Sequence, residues 1–241
     1  MSTKKLSKQL QLLVFLIVSI VTMCTFPACL RGGAASQTKI IPRRELPQVI
    51  QEALSGDIRA AERLASHYAI GRADSYNAIE WFTVAAENGH LESTYGLIIH
   101  LFHDLNNIDF RKRGIFWLYS LAKKDYRDTM AWLNEEGHTL ETAQPPDDNF
   151  FPHDYIEFSD SMLNHYKDGA LRGNARAAFI LGRYFGEVKN DITSSEYWFR
   201  IGAQNGCSES KRILGQILIA KNDRNAKIRG EFWLMQAAEL L

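Results

Sequence analysis

The chain is expected to be all-α, a stack of about five helix pairs behind a single capping helix, and three observations carry that expectation. A tryptophan followed by a small pair and a glycine recurs, in "EWFTVAAENG" (Trp81, Ala85, Ala86, Gly89) and "EYWFRIGAQNG" (Trp198, Gly202, Ala203, Gly206), and in part in "FWLMQAAE" (Trp233, Ala237, Ala238). Four segments opening on Gly56, Gly89, Gly173 and Gly206 carry small residues four or five positions on, Leu at eight and a large apolar residue at twelve, offsets that share one helical face. The period fits a two-helix solenoid unit: Trp81 to Trp117 is 36 residues, Trp198 to Trp233 is 35, and Gly56 to Gly89 and Gly173 to Gly206 are both 33.

The N-terminus precedes this pattern. "MSTKKLSK" carries three lysines, Leu12 to Met23 is a mostly apolar run, and "TFPAC" follows, an order that reads as an export signal over residues 1–28. Three outcomes stay open: plain cleavage, lipidation of Cys29 after Ala28 in the manner of a bacterial lipoprotein, or retention as a membrane anchor. Phe26 and Pro27 depart from the usual lipoprotein pattern. In each outcome the lysines stay cytosolic and the bulk of the chain is exported, which places it in the periplasm, with membrane contact through the N-terminal segment or a lipid. Removing residues 1–28 takes Lys4, Lys5 and Lys8 and no acid, leaving 25 basic against 28 acidic residues. That mildly acidic balance gives no footprint for nucleic acid. Cys24 lies in the signal and Cys29 at its end, so Cys207 alone remains in the body and no intrachain disulfide is available; Cys207 reads as a small helix residue.

Residues 29–44 read as a linker, and the repeat region spans 45–241, opening with the lone helix "LPQVIQEAL". In the first helices, Leu64, Leu97, Leu181 and Leu214 face the core, with Tyr68, Leu101, Phe185 and Leu218 one turn beyond. In the second helices the small pair lets a neighbouring helix approach, the Trp ring fills the space beside it, and the glycine ends the helix in a left-handed conformation. The third unit is degenerate. Asp125 stands at the glycine position with Leu133 eight residues on, and its second helix puts His165 at the Trp position before Gly169 and Ala170. Between the two lies an insertion near 134–160 with eight acids, no Lys or Arg, and Phe150 and Phe151 side by side; it reads either as solvated surface or as a docking element.

These residues, with Leu181-Gly182 and Leu214-Gly215 in the first helices, resemble the Sel-1-like repeat family, relatives of tetratricopeptide repeats. The resemblance covers nearly all of the presumed exported body and implies a right-handed α/α superhelix that binds proteins. The usual glycine-rich turn between paired helices is poorly kept. Some cysteine-rich Sel-1-like proteins bind or cleave β-lactams, but those carry paired cysteines in successive repeats.

Signals for chemistry are sparse. No nucleophile motif, phosphate loop or carboxylate pair stands out, and no cofactor is implied. His100, His103 and Asp104 in "HLFHD" lack an evident further ligand and read as residues of a repeat helix rather than a metal site. "FRKR", Phe110 to Arg113, reads as a solvated basic face, and the Trp-Phe pairs as core. Offsets three, six, ten and thirteen after the glycine point away from the core, onto the face that lines the concave groove of such superhelices. They select Arg59, Glu62, Glu92, Tyr95, Phe102, Arg176, Phe179, Arg183, Glu209, Arg212 and Gln216 as partner-binding residues without packing duty. The expected function is non-enzymatic protein binding in the cell envelope. Its sharpest form is an immunity protein that neutralises a secreted antibacterial toxin, such as a phospholipase or cell-wall effector. An envelope scaffold or regulatory adaptor is the second reading, and a β-lactam or cell-wall hydrolase the third.

Overall fold

A computed structural model describes residues 40–103, 107–122 and 157–238. The apolar N-terminal run, Cys29, Asp104, the third-unit residues Asp125 and Leu133, and nearly all of the acidic insertion lie outside the described residues. So does Phe150-Phe151. The chain divides into residues 1–39 and a compact unit from Ile40 onward.

Among the described residues there are ten α-helices: α1 Leu46–Leu54, α2 Ile58–Ser66, α3 Ser75–Glu87, α4 Leu91–His103, α5 Ile108–Ala122, α6 Asp160–Leu171, α7 Ala175–Arg183, α8 Ile192–Gln204, α9 Ser208–Ala220 and α10 Arg224–Ala238. Their boundaries follow from local chemistry. Side-chain oxygens of Asp57, Asp74, Asn174 and Asp191 accept from the backbone N–H three residues on, satisfying donors that a helix start leaves unpaired. At the other ends, Gly56, Gly89, Gly173 and Gly206 all take positive φ, between 94° and 113°. After α8, the Gly206 N–H reaches Ala203 O at 3.1 Å and the Cys207 N–H reaches Gly202 O at 2.9 Å, the paired bonds of a Schellman stop. The tryptophan phrase is therefore the packing device and stop that its spacing suggests. Trp81, Trp117, Trp198 and Trp233 are buried, and a Cβ at Gly202 would stand 2.4 Å from Ser210 Oγ.

The register of the first helices holds as read. Leu64, Leu97, Leu181 and Leu214 have no exposed surface. Glycines in these helices admit aromatic rings from the next: Phe82 covers Gly96 and Phe199 covers Gly182. In α6 the aromatic position is taken by Tyr166, buried and stacked on Phe158, and not by His165, which is exposed. The phenol ring can enter the apolar layer that an imidazole, needing partners for both nitrogens, would leave unsatisfied.

Consecutive helices touch throughout the described residues, including α5 with α6 across the undescribed segment, and α10 returns to touch α1. The helix α1, expected to cap the stack, is thus itself covered by α10. The helices also fall into two matching sets of five. Ile58 of α2 corresponds to Ala175 of α7, and α3 and α4 correspond to α8 and α9, with the same shift of 117 residues that separates Glu87 from Gln204. α5 and α10 match with one residue fewer. Even the irregularities repeat. Wide-turn helical segments His67–Gly71 and Tyr184–Val188 continue α2 and α7, and Ala73 and Asn190 both have φ 51°.

The segment His67–Gly71 holds a polar contact in the core. His67 is buried, and its Nδ1 accepts the Ile41 backbone N–H at 2.9 Å. That bond needs the neutral imidazole. Burial, and secondarily the nearby Arg72 charge, hold the His67 pKa below its ordinary value.

Two outcomes are expected. Leu181→Ala empties a fully buried position and should cost about 2–5 kcal/mol, loosening α6, α8 and α9 as well because stacked units stabilise one another; hydrogen exchange and thermal melts check both. A depressed folded pKa means that the stabilisation from His67 is present above the unfolded histidine pKa and is lost as pH falls through the folded value. His67→Asn, which keeps an acceptor without a titration, should therefore flatten the loss of melting temperature between pH 7 and pH 5. A slope identical to the parent's would show that another group governs it.

Candidate interaction surface and the contact between the two halves

The eleven residues selected from the repeat register divide between the two halves. Arg59 and Glu62 on α2, with Glu92, Tyr95 and Phe102 on α4, belong to the first half; Arg176, Phe179 and Arg183 on α7, with Glu209, Arg212 and Gln216 on α9, belong to the second. Nine of them are exposed. Two are not free for binding, contrary to the expectation of no packing duty. The Phe102 ring lies over Gly114 of α5, and Phe179 packs edge-on to Phe199 of α8 with ring centroids 6.0 Å apart. In each case a glycine decides it, because Gly114 leaves a slot that Phe102 fills and Gly182 draws Phe199 in beside Phe179.

On the first half, His90 joins the two helices: its Nε2 lies 3.2 Å from Glu92 and 4.0 Å from Glu62, while its Nδ1 meets Ser93 Oγ at 2.7 Å. Tyr95 is 37% exposed beside these acids. Ile99, one turn along α4, is equally exposed at 37% and was not selected by the register. Its spacing of four from Tyr95 was the available signal. The corresponding second-half positions are polar: Arg212 replaces Tyr95 and Gln216 replaces Ile99, and Arg212 Nη1 donates to Gln216 Oε1 at 3.3 Å. Arg183 is held by Glu187 through two bonds, from Nε at 2.8 Å and Nη2 at 2.7 Å. The two related faces thus differ in chemistry, one aromatic and acidic, the other cationic and polar.

Other sequence candidates are placed as follows. Cys207 stands at the start of α9 rather than inside it, and its Sγ accepts the Ser210 N–H at 3.4 Å. His100 packs against the Phe82 ring at 5.3 Å, and burial lowers its pKa, with the charge of His103 adding to the effect. Among the described residues no group of three or more His, Cys, Asp or Glu could hold a metal ion, and no helix is long and apolar enough to cross a membrane.

The reading of "FRKR" as a solvated face requires correction, because two of its cations serve the contact between halves. Lys112 Nζ lies 2.8 Å from Asp168 of α6, and Arg113 is buried. Arg113 Nη2 donates to Gln204 Oε1 at 2.7 Å, and Nη1 to Asn205 Oδ1 at 2.8 Å and to Leu171 O at 3.4 Å. Its counterpart Arg229 reaches the other way: Nη2 to Glu87 Oε2 at 2.5 Å, and Nη1 to Asn88 Oδ1 at 2.9 Å and to Leu54 O at 3.3 Å. Each guanidinium lies over a phenylalanine of its own helix, Arg113 4.0 Å from Phe116 and Arg229 3.9 Å from Phe232. Those rings in turn cover Gly173 and Gly56 of the opposite half. Reciprocity of this kind defines an approximate twofold relation. Glu87 and Gln204, equivalent to one another, meet on it, with Gln204 Nε2 donating to Glu87 Oε1 at 2.7 Å.

The result is a buried relay, Arg113 to Gln204 to Glu87 to Arg229, in which two cations share one carboxylate. The Glu87 and Arg229 side chains are 4% and 6% exposed. Burial pushes the Arg113 pKa down to about 9, opposed by Tyr197 and Glu87, and lowers that of Arg229 against the pull of Glu87. At about 9, Arg113 stays charged at neutral pH. The sequence signal that marked this site was the match of "RGIFW" from Arg113 with "RGEFW" from Arg229.

No protein-family model matches the chain, and no curated protein matches it. What the described residues define is an all-helical unit of packed neighbouring helices in which α10 also touches α1.

Gln204→Glu should behave asymmetrically with pH. A second carboxylate against Glu87 replaces an amide donor with a like charge, so one of the pair takes up a proton and its folded pKa rises. A raised folded pKa gives stability that is complete below the unfolded carboxylate value and lost as pH rises through the folded one. Relative to the parent, the variant should therefore lose more melting temperature at pH 8 than at pH 5. A pH-independent difference would mean that residues 87 and 204 are not in contact.

Proposed function

We propose that this chain is a non-enzymatic protein-binding domain of Sel-1-like helix pairs, wound in the right-handed sense of that family and exported to the cell envelope. In its sharpest form it is an immunity protein that binds and neutralises a secreted antibacterial toxin. The observation that carries the reading is the first-half face, where Tyr95 and Ile99 are exposed one turn apart on α4, the helix whose Glu92 shares His90 with Glu62 of α2. An aromatic and an aliphatic side chain outside the core, on a helix that also carries an exposed acid, suit a protein partner that offers an apolar anchor beside a cation. The lysine-capped apolar segment at the N-terminus supports export, and Cys29 is the residue a lipid would take.

The test is to co-express the chain with candidate toxins encoded in neighbouring genes, comparing the parent with Tyr95→Ala and Ile99→Asp. Both positions are surface positions, so melting temperatures should stay within about 2 °C while affinity falls roughly tenfold or more. Variants that fold, bind and protect as the parent does would overturn the assignment of this face. Export is tested separately by a reporter active only outside the cytosol, fused after Leu241, and lipidation by lipid labelling of Cys29→Ser against the parent.

A further inference from the structure

We infer that the two five-helix halves form a fused pseudo-dimer whose internal interface can also be completed by a second copy of this chain. In that arrangement the first half of one molecule seats on the second half of another, and Glu87 with Gln204 dictates that only unlike halves pair. The inference rests on the buried contact between halves and is independent of the proposed partner and toxin.

The interface has the composition of a true subunit contact. Its centre is a polar relay through the buried side chains of Glu87, Arg113 and Arg229 and the half-buried Gln204, flanked on each side by an arginine stacked on a phenylalanine, with that ring closing over a glycine of the opposite half. Asn88 Nδ2 bonds Ala53 O at 2.9 Å and Asn205 Nδ2 bonds Ala170 O at 2.8 Å, so each asparagine braces the helix end that receives the opposite arginine. The arginine, phenylalanine–glycine and asparagine contacts each occur twice, related by the twofold. A surface built that way recognises its mate by local geometry alone, whether the mate belongs to the same chain or to another.

One pair breaks the symmetry. Pairing two first halves would set Glu87 against Glu87, a like-charge contact away from water. Pairing two second halves would set Gln204 against Gln204 and leave two copies of Arg229 with no carboxylate. The mixed pair alone places one acid between the two cations without setting two carboxylates against each other. A single buried polar pair that costs little in the correct pairing and much in the wrong ones is a specificity device. Within one molecule the two halves belong to one covalent chain, which keeps the local concentration of the mate high. The closed monomer therefore dominates in dilute solution, and exchange between copies needs the interface to open.

The experiment uses the full chain with a protease site inserted after Gln144, prepared with and without an affinity tag at the C-terminus. After cleavage, the two fragments should co-elute at the mass of the uncut monomer and melt as one complex. When tagged and untagged preparations are mixed, opened briefly in denaturant and refolded, about half of the captured complexes should carry a first half from the untagged preparation, the statistical result of free exchange. Fragments that separate after cleavage would overturn the inference, as would complexes that stay together and never exchange. Glu87→Gln should weaken retention of the cut fragments by tenfold or more, and the interchanged double variant Glu87→Gln with Gln204→Glu should restore it, since the relay is then reproduced with its direction reversed. Failure of the double variant to restore retention would remove Glu87 and Gln204 from the pairing role.

Discussion

The meeting of Glu87 with Gln204 is the constraint on which the closed fold depends. Two guanidiniums are buried near the centre of the molecule, and burying a charge without a partner is among the larger penalties a protein can carry. Both are tolerated because the backbone ends of helices in the opposite half converge on them. Arg113 takes the C-terminal ends of α6 and α8, and Arg229 takes those of α1 and α3. Helix C-termini expose carbonyl oxygens and the negative end of the helix dipole, so a cation suits them. One carboxylate then completes the arrangement, and the Gln204 amide passes its effect across to Arg113.

Closure also explains why the helix-ending glycines matter beyond their backbone angles. Gly56 and Gly173 end α1 and α6 with positive φ, and the same two positions are where the Phe232 and Phe116 rings of the opposite halves come to rest. Any side chain there would be strained by the backbone and would also meet the ring. Gly89 and Gly206, with similar φ, have open space around them, so their requirement is conformational alone. The repeat motif is thus one device with two uses, and the second falls to the two glycines on which a phenylalanine ring of the opposite half rests.

The twofold relation frames the functional reading as well. Core positions keep their type between halves, as Leu64 with Leu181 and Trp81 with Trp198 illustrate. Among the outward positions Arg59 with Arg176 and Glu92 with Glu209 also keep theirs, but Glu62 corresponds to Phe179, Tyr95 to Arg212 and Ile99 to Gln216.

What the sequence by itself determined was everything that depends on neighbours along the chain. The helix positions, the glycine stops and the buried leucines could be read because capping, φ preference and a 3.6-residue period act over a few residues. The tertiary structure alone decided where Arg113 went. A cation in a basic run on a helix reads as solvent-facing, and only the approach of Gln204, Asn205 and Leu171, 58 to 92 residues away in sequence, supplies the acceptors that let it be buried. Phe102 and Phe179 were misread for the same reason: whether an outward ring is free depends on a glycine in the next helix, and a single helix's periodicity holds no record of what packs beside it.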